Sequence, residues 1–362
     1  MLNAEPKRQS RTAKFFNFDI RQSLKAKLFN PKYIMVYATL GVFLIIYLFG
    51  AIMYGEKGFT SLRTICLMFS DNAYIGVSAV GMTMVLITGG IDLSVAAVAS
   101  LTGMFIAYGT TVLGVDPWLC MLFSLAMGAL LGYIMGAAIH YLNVPPFITT
   151  LTGMFLARGV CALISRESIS IQHPTIDWLA GMKWNIMVLK EGAWVKLKPV
   201  AYINLSVIIF LAMIIIGTII LQKTRFGRNV YAIGGNEQSA KLMGLPVGRT
   251  KIAVYAINGF CSALAGIVYV LYVKSGWNLA LSGGELDVIS AAVIGGVMLT
   301  GGVGYMVGTM FGVMLKATIP ALITFEGTLS SWWGKIATGV LLLIFIVIQR
   351  IVVTYTARKK SL

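Results

Sequence analysis

Charge is scarce in this chain. Only 12% of its 362 residues are Asp, Glu, Lys or Arg, about half of the roughly 25% carried by an average soluble domain. That shortage weighs against a soluble globular protein. Acids are scarcer than bases, 13 against 29, leaving a net charge of +16. In a soluble protein this balance would point to nucleic acid. Here long apolar runs separate the basic residues, so the balance reads as membrane topology and nucleic acid is not an expected partner. Cysteine and histidine are also few. Cys66, Cys120, Cys161 and Cys261 stand far apart with no CxxC pair, and His140 and His173 are the only histidines, so no metal or redox site is expected. The first 33 residues contain no apolar stretch followed by a cleavage site, so no secretory signal is expected and the chain would insert by its own spans. No phosphate-binding loop is present. The nearest string, Gly327 to Lys335, has the wrong spacing and is followed by Ile336. With no nucleophile elbow and no HExxH, no catalytic residue is expected and the chain is read as a non-enzyme.

What remains is apolar. Hydrophobic residues make up 58% of the chain and 39 residues are glycine, which is commoner in membrane helices than in soluble ones. A span needs about 20 mostly apolar residues. Ten segments are candidates: 34–54, 72–88, 91–113, 118–142, 147–165, 202–222, 251–273, 286–299, 304–324 and 333–349. The expected fold is therefore all-α and polytopic, a single transmembrane domain over 34–352. A basic segment 1–33 precedes it and a tail 353–362 ends the chain. Residues 1–33 hold eight Lys or Arg, the loop 223–251 holds six, and the tail region holds Arg350, Arg358, Lys359 and Lys360. Ten spans put all three regions on one side, and the positive-inside bias makes that side cytoplasmic, with both termini there. The loop 166–201 then faces the periplasm.

Two stretches look alike. Thr88-Gly-Gly-Ile-Asp-Leu-Ser-Val95 and Ser282-Gly-Gly-Glu-Leu-Asp-Val288 each combine a Gly-Gly turn, acidic residues and a small-residue helix. They precede the third and eighth spans, which run in opposite directions. Spans 2–5 and 7–10 are thus expected to form inverted repeats, an arrangement common in transporters.

Ionisable groups in a bilayer are costly and face a cavity or a partner. Asp71, Asn72, Asp92, Glu285 and Asp287 stand at span starts, with Thr149 and Thr150 following Val144-Pro-Pro. Each acid has an ordinary role available, capping free N–H groups at the positive end of a helix. The functional alternative is a polar route, since carboxylates, amides and hydroxyls suit a neutral polyhydroxylated solute. Arg158 is expected to pair with a carboxylate or helix-end carbonyls, and Lys316 to snorkel towards an interface. No relay of mid-span acids is visible, which disfavours proton coupling. In the cytoplasmic loop 223–250, Asn236 is a candidate cap for a short helix over 237–243 stopped at Gly244 and Pro246. Ala240, Met243 and Gly244 would share a face suited to docking in a groove. The plainer alternative is a solvated basic loop.

Several ordered motifs carry a resemblance. Gly89-Gly-Ile-Asp-Leu-Ser94, Val144-Pro-Pro-Phe-Ile-Thr-Thr150, Gly227-Arg-Asn-Val-Tyr-Ala-Ile-Gly-Gly-Asn236 and Glu285-Leu-Asp-Val-Ile-Ser-Ala-Ala-Val-Ile-Gly-Gly296 resemble the permeases of bacterial ABC-type sugar importers. This is the ribose/xylose/galactose branch related to branched-chain amino-acid permeases. Gly301-Gly-Val-Gly304, Phe325 to Trp333 and Ser165 to Pro174 are similar to the galactofuranose type. The resemblance implies an inner-membrane subunit paired with a second permease, identical or homologous, and the galactofuranose type implies a heterodimer. It also implies a cytoplasmic ABC ATPase carrying the ATP and Mg that this chain lacks, and a periplasmic sugar-binding protein. Glu237, Ala240, Met243 and Gly244 resemble the family's coupling motif, with Arg225 and Arg228 beside it; Gln238-Ser239 departs from its usual Ala. The rival reading is a secondary, ion-coupled sugar transporter or passive channel that needs no ATPase.

Overall fold

The computed structural model describes residues 34–190, 193–196 and 200–360; the basic segment 1–33 and residues 361–362 lie outside the described residues. Fourteen helices occur among the described residues. In chain order they are α1 (Ile34–Tyr54), α2 (Leu62–Asp71), α3 (Ala73–Ile87), α4 (Val95–Thr111), α5 (Pro117–Tyr141), α6 (Pro146–Ile164) and α7 (Pro174–Gly181). Then come α8 (Leu205–Lys223), α9 (Arg225–Gly235), α10 (Glu237–Leu242), α11 (Val247–Val273), α12 (Gly284–Ile294), α13 (Met306–Glu326) and α14 (Trp332–Lys360). The separate tail expected over 353–362 is instead a continuation of α14 as far as Lys360.

Each expected span has its helix, but not all of them cross. Among the described residues, seven helices are long and apolar enough to span a bilayer, or eight if α2 and α3, which meet at a 55° bend, count as one. α4 has 17 residues and α12 only 11. At 1.5 Å per residue, α12 reaches about 16 Å, half the hydrocarbon thickness. The apolar run 286–299 hid this, because composition does not reveal where a helix stops.

Local sequence explains the starts. Pro117 and Pro146 sit in first turns, where a missing N–H costs nothing. Asp116 accepts the Trp118 N–H at 2.8 Å, and Ser61 accepts the Thr64 N–H at 3.2 Å. α11 is the central post, with 72% of its apolar window buried, against 17% for α1 and 11% for α14. It lies along α5 on a seam of small residues: a Cβ on Gly132 would collide with the Tyr255 carbonyl, and one on Gly259 with the Gly128 carbonyl. Without a hydrophobic drive between helices in lipid, this close approach is what holds the pair. The outer helices turn Ile52, Leu163 and Leu343 outwards, a surface fit for lipid.

Three short two-stranded ladders tie the connecting segments together. β1 (Ile169–Ser170) pairs with β6 (Ser275–Gly276), β2 (Lys183–Asn185) with β5 (Tyr202–Asn204), and β3 (Met187–Lys190) with β4 (Ala193–Lys196). After β6 the chain turns back into the fold beside α4. Gly276 abuts Gly103, the Ser100 hydroxyl donates to the Ala280 carbonyl, and Gly284 approaches Ala96. α12 therefore begins level with the start of α4, part-way through the bundle. Gly89 and Gly283 share a left-handed φ of +80°, the conformation the two Gly-Gly turns need. Past these turns the two stretches diverge: residues 91–94 are non-helical before α4, whereas α12 begins at Gly284 itself.

Gly132→Leu is expected to separate α5 from α11 and lower stability by about 1–3 kcal/mol or more, seen as a reduced thermal midpoint of the detergent-solubilised protein. Gly159, whose Cβ position faces open space, tolerates Ala in the same assay.

Candidate functional site: a polar line through the bundle and an elbow at its end

The break between α3 and α4 lies deep in the protein. Asp92 is 1% exposed. Its Oδ1 accepts the Ser94 N–H at 2.8 Å and the Ser94 hydroxyl at 2.6 Å, and its Oδ2 accepts Asn258 Nδ2 at 2.7 Å. Asn258 neighbours Gly259, which touches the midpoint of α5 at Gly128. Three donors satisfy this carboxylate, which is the requirement for burying one. Asp92 is thus enclosed and fastens the break to α11. Thr150 is also enclosed, its hydroxyl donating to Pro146 O at 2.9 Å. Thr149 lines an apolar cavity of about 320 Å³ between α5 and α6, with Val98, Leu131 and Ile148 around it. Sequence grouped these three with the other polar candidates; the structure separates them.

Asp71, Asn72 and Asp287 do belong to one region. Asn72 sits at the bend between α2 and α3, its Nδ2 donating to Met68 O at 3.0 Å. Asp71 precedes it and lies within hydrogen-bonding reach of the Tyr272 hydroxyl. Tyr74, the second residue of α3, interacts electrostatically with Asp287, Tyr269, Tyr272 and Asp71, and its ring meets Tyr269 edge-on at 5.2 Å. Asp287 pairs with Lys316 at 2.8 Å. Lys316 is 8% exposed and does not snorkel, because a carboxylate reaches it inside the bundle. These groups form a line from the end of α11 inwards to the α12–α13 contact. Its tyrosines escaped notice in the sequence, although Tyr269 and Tyr272 stand three residues apart on one helical face.

Glu285, in the first turn of α12, lies within electrostatic reach of Arg158. Arg158 settles on carbonyls: its Nη1 donates to Asn278 O at 2.7 Å, Ala280 O at 2.8 Å and Ser100 Oγ at 3.1 Å. It staples the re-entrant segment to α4 and α6.

At the other end, α9 and α10 form an elbow. Thr224 caps α9 by accepting the Gly227 N–H at 3.1 Å, and Asn236 caps α10 by accepting the Ser239 N–H at 2.8 Å. Met243 and Gly244, with φ +75°, end the short helix. Arg225 and Arg228 are exposed. Ala240 does not share the open face expected of it: it is fully buried against Ile233 and Val247. The exposed pair is Leu242, 90% exposed, and Met243, 67% exposed. Glu237 ties the elbow to α11 through Lys251 at 2.6 Å and to Lys241 at 3.3 Å. Burial pushes the Glu237 carboxyl up, but hydrogen bonds and charge from Lys251 and Lys241 outweigh it and hold the group below its usual value. The tie is therefore fully present above the ordinary carboxylate range and is lost as pH falls through the depressed value.

Breaking the Asp287–Lys316 pair is expected to be asymmetric. Lys316 is buried, whereas the Asp287 side chain is 39% exposed. Asp287→Asn strands a buried cation and costs towards the about 3–5 kcal/mol of a broken buried pair. Lys316→Met leaves a carboxylate that is only partly enclosed and costs less. Thermal unfolding of the two solubilised variants measures the order.

A family model described as "Branched-chain amino acid transport system / permease component" matches residues 65–346. Among curated relatives, the inner membrane ABC transporter permease protein YjfF of Escherichia coli is 45% identical, covering 86% of this chain and 90% of its own. The fructose import permease protein FruG of Bifidobacterium longum is 36% identical, covering 89% and 92%. The ribose import permease protein RbsC of Bacillus subtilis is 35% identical, covering 76% and 81%. No solved structure matches. With a continuous match over most of its length and a helical bundle of full and partial spans, the chain belongs to the family of branched-chain amino acid transport system permease components.

Proposed function

We propose that this chain is the transmembrane permease subunit of an ATP-driven sugar importer, passing a monosaccharide from a periplasmic binding protein to the cytoplasm by alternating access. The relatives' names supply the class: one is an ABC transporter permease, and two import fructose and ribose. The observation that carries the reading is the elbow. Two large apolar side chains, Leu242 and Met243, project from a short, well-capped helix at one end of a membrane bundle. An apolar knob on a small helix fits a groove in a partner, and here the partner is a cytoplasmic ABC ATPase that binds ATP and Mg. This assignment puts α9 and α10, the N-terminus and the end of α14 on the cytoplasmic side of the inner membrane. A second, homologous permease completes the membrane unit within the lipid bilayer. Galactofuranose, or a galactose-like sugar, is the proposed cargo; its support is the set of motifs at 165–174, 301–304 and 325–333.

ATP closure would press on the elbow, which packs directly on the broken helices. Gly234 in α9 abuts the Ile87 carbonyl, and the Tyr231 hydroxyl donates to Gly304 O at 2.7 Å. A push there moves both breaks together.

Leu242→Asp with Met243→Asp is expected to cut ATP-dependent sugar uptake at least about tenfold, equivalent to 1.4 kcal/mol of coupling, and to remove the ATPase from co-purification, while membrane levels stay unchanged. Uptake that survives inactivation of the ATPase would instead identify a channel or an ion-coupled carrier.

A further inference from the structure

A cavity of about 540 Å³ opens where the α2–α3 bend, the end of α11 and the β2–β5 ladder meet. This is the end of the bundle away from the elbow, since α11 starts beside α10 and runs 27 residues, about 40 Å, before reaching it. The volume falls within the about 300–1,000 Å³ of small-molecule sites. Its wall carries Ser70, Asp71, Lys183, Tyr202, Asn204 and Tyr272.

The lining chemistry is specific. Asp71 is an exposed carboxylate with the Tyr272 hydroxyl beside it. Asn204 is held rigidly, its Oδ1 accepting the Val207 N–H at 3.0 Å and its Nδ2 donating to Ser70 Oγ. Lys183 stands over the Tyr202 ring, 4.8 Å from its centroid. Lys274, also on the wall, is engaged by Asp177 at 2.5 Å. With Lys274 engaged by Asp177, the charged groups left on the wall are Lys183 and Asp71, one of each sign. Carboxylate, hydroxyl and amide groups bind hydroxyls, and the exposed Tyr272 ring offers an apolar face to C–H bonds. From its floor, the line of Tyr272, Tyr74 and Asp287 leads inwards.

The geometry points to a low-affinity monosaccharide subsite in this cavity, where a neutral polyhydroxylated solute is received before it moves deeper, with Asp71 and Tyr272 as its principal hydrogen-bonding groups. It rests on the importer reading above. Low affinity follows from the function, because a subsite on a route must release what it binds.

The test uses the importer reconstituted with its ATPase and carrying Cys66→Ser with Ala180→Cys. Cys120, Cys161 and Cys261 are buried, so within this chain the new thiol on the cavity wall is the reactive one, and labelling is read on this chain after separation from its partners. Maleimide labelling is followed with D-galactose, D-fructose or D-ribose at about 100 mM, and with glycine betaine at the same osmolarity. For a Kd of about 10 mM, the labelling rate falls about tenfold. At least one sugar is expected to protect in this way and glycine betaine is not. Tyr272→Phe and Asp71→Asn are each expected to remove most of the protection while leaving the sugar-free labelling rate unchanged. No protection by any of the three sugars, equal protection by glycine betaine, or protection that persists in both variants overturns the subsite. ATP-dependent uptake is read on the same preparation. Protection without such uptake overturns the importer reading and keeps the subsite; uptake without protection does the reverse.

Discussion

Inside a bilayer, a backbone carbonyl or N–H that leaves a helix finds no water, and each one left bare costs several kcal/mol. Among the described residues, helices are interrupted within the bundle at 88–94, 277–283 and 295–305, besides the α2–α3 bend at Asn72. The three longer interruptions are closed mostly by groups brought from elsewhere in the chain. Arg158 takes the carbonyls of Asn278 and Ala280. Gln349 takes those of Val293 and Val297, both at 3.1 Å. Thr39 donates to Ile294 O, and the Gly302 N–H donates to Ile87 O at 2.8 Å. Asp92 accepts the Ser94 N–H. The polar residues in the core are explained first by this need.

Closure of the breaks also places them against the elbow. Gly301 and Gly302 pack against Gly234 and Gly235 of α9, and Gly301 reaches Gly89. Two glycine turns and the glycine end of α9, from distant parts of the chain, meet in one contact, which larger side chains would keep apart. The partner-facing end and the transmembrane breaks thus share a boundary, with no intervening layer to absorb movement. The seam between α5 and α11 is built in the same way from small residues, and it gives the central post a fixed neighbour.

Much of this was readable from sequence. Apolar runs placed ten helices, and the Asn236 cap and Gly244 stop bounded α10 to within a residue, because capping chemistry is local. Other features were not readable. The length of α12 depends on where Gly283 and Gly295 turn the chain, and the run 286–299 is apolar throughout apart from Asp287 and Ser290. The inward turn of Ala240 depends on Val247 and Ile233 meeting it from two other helices. Asp92 and Asp287 look alike as acids at helix starts, yet Asn258 encloses one and Lys316 faces the other, both partners lying far away in sequence. The tyrosine line was invisible because it joins α3 to α11, a pairing set by packing.

The Gln349 contacts bear on how the protein is made. The carbonyls of Val293 and Val297 are met by a side chain 56 and 52 residues later in the chain. While α12 is emerging from the ribosome, the helix that completes its polar contacts has not been synthesised. The half-helix can take its final place only after the last span has entered the membrane. Packing of α12 therefore waits for α14, and a chain cut short before α14 lacks more than one outer helix: the Val293 and Val297 carbonyls lose their Gln349 donor.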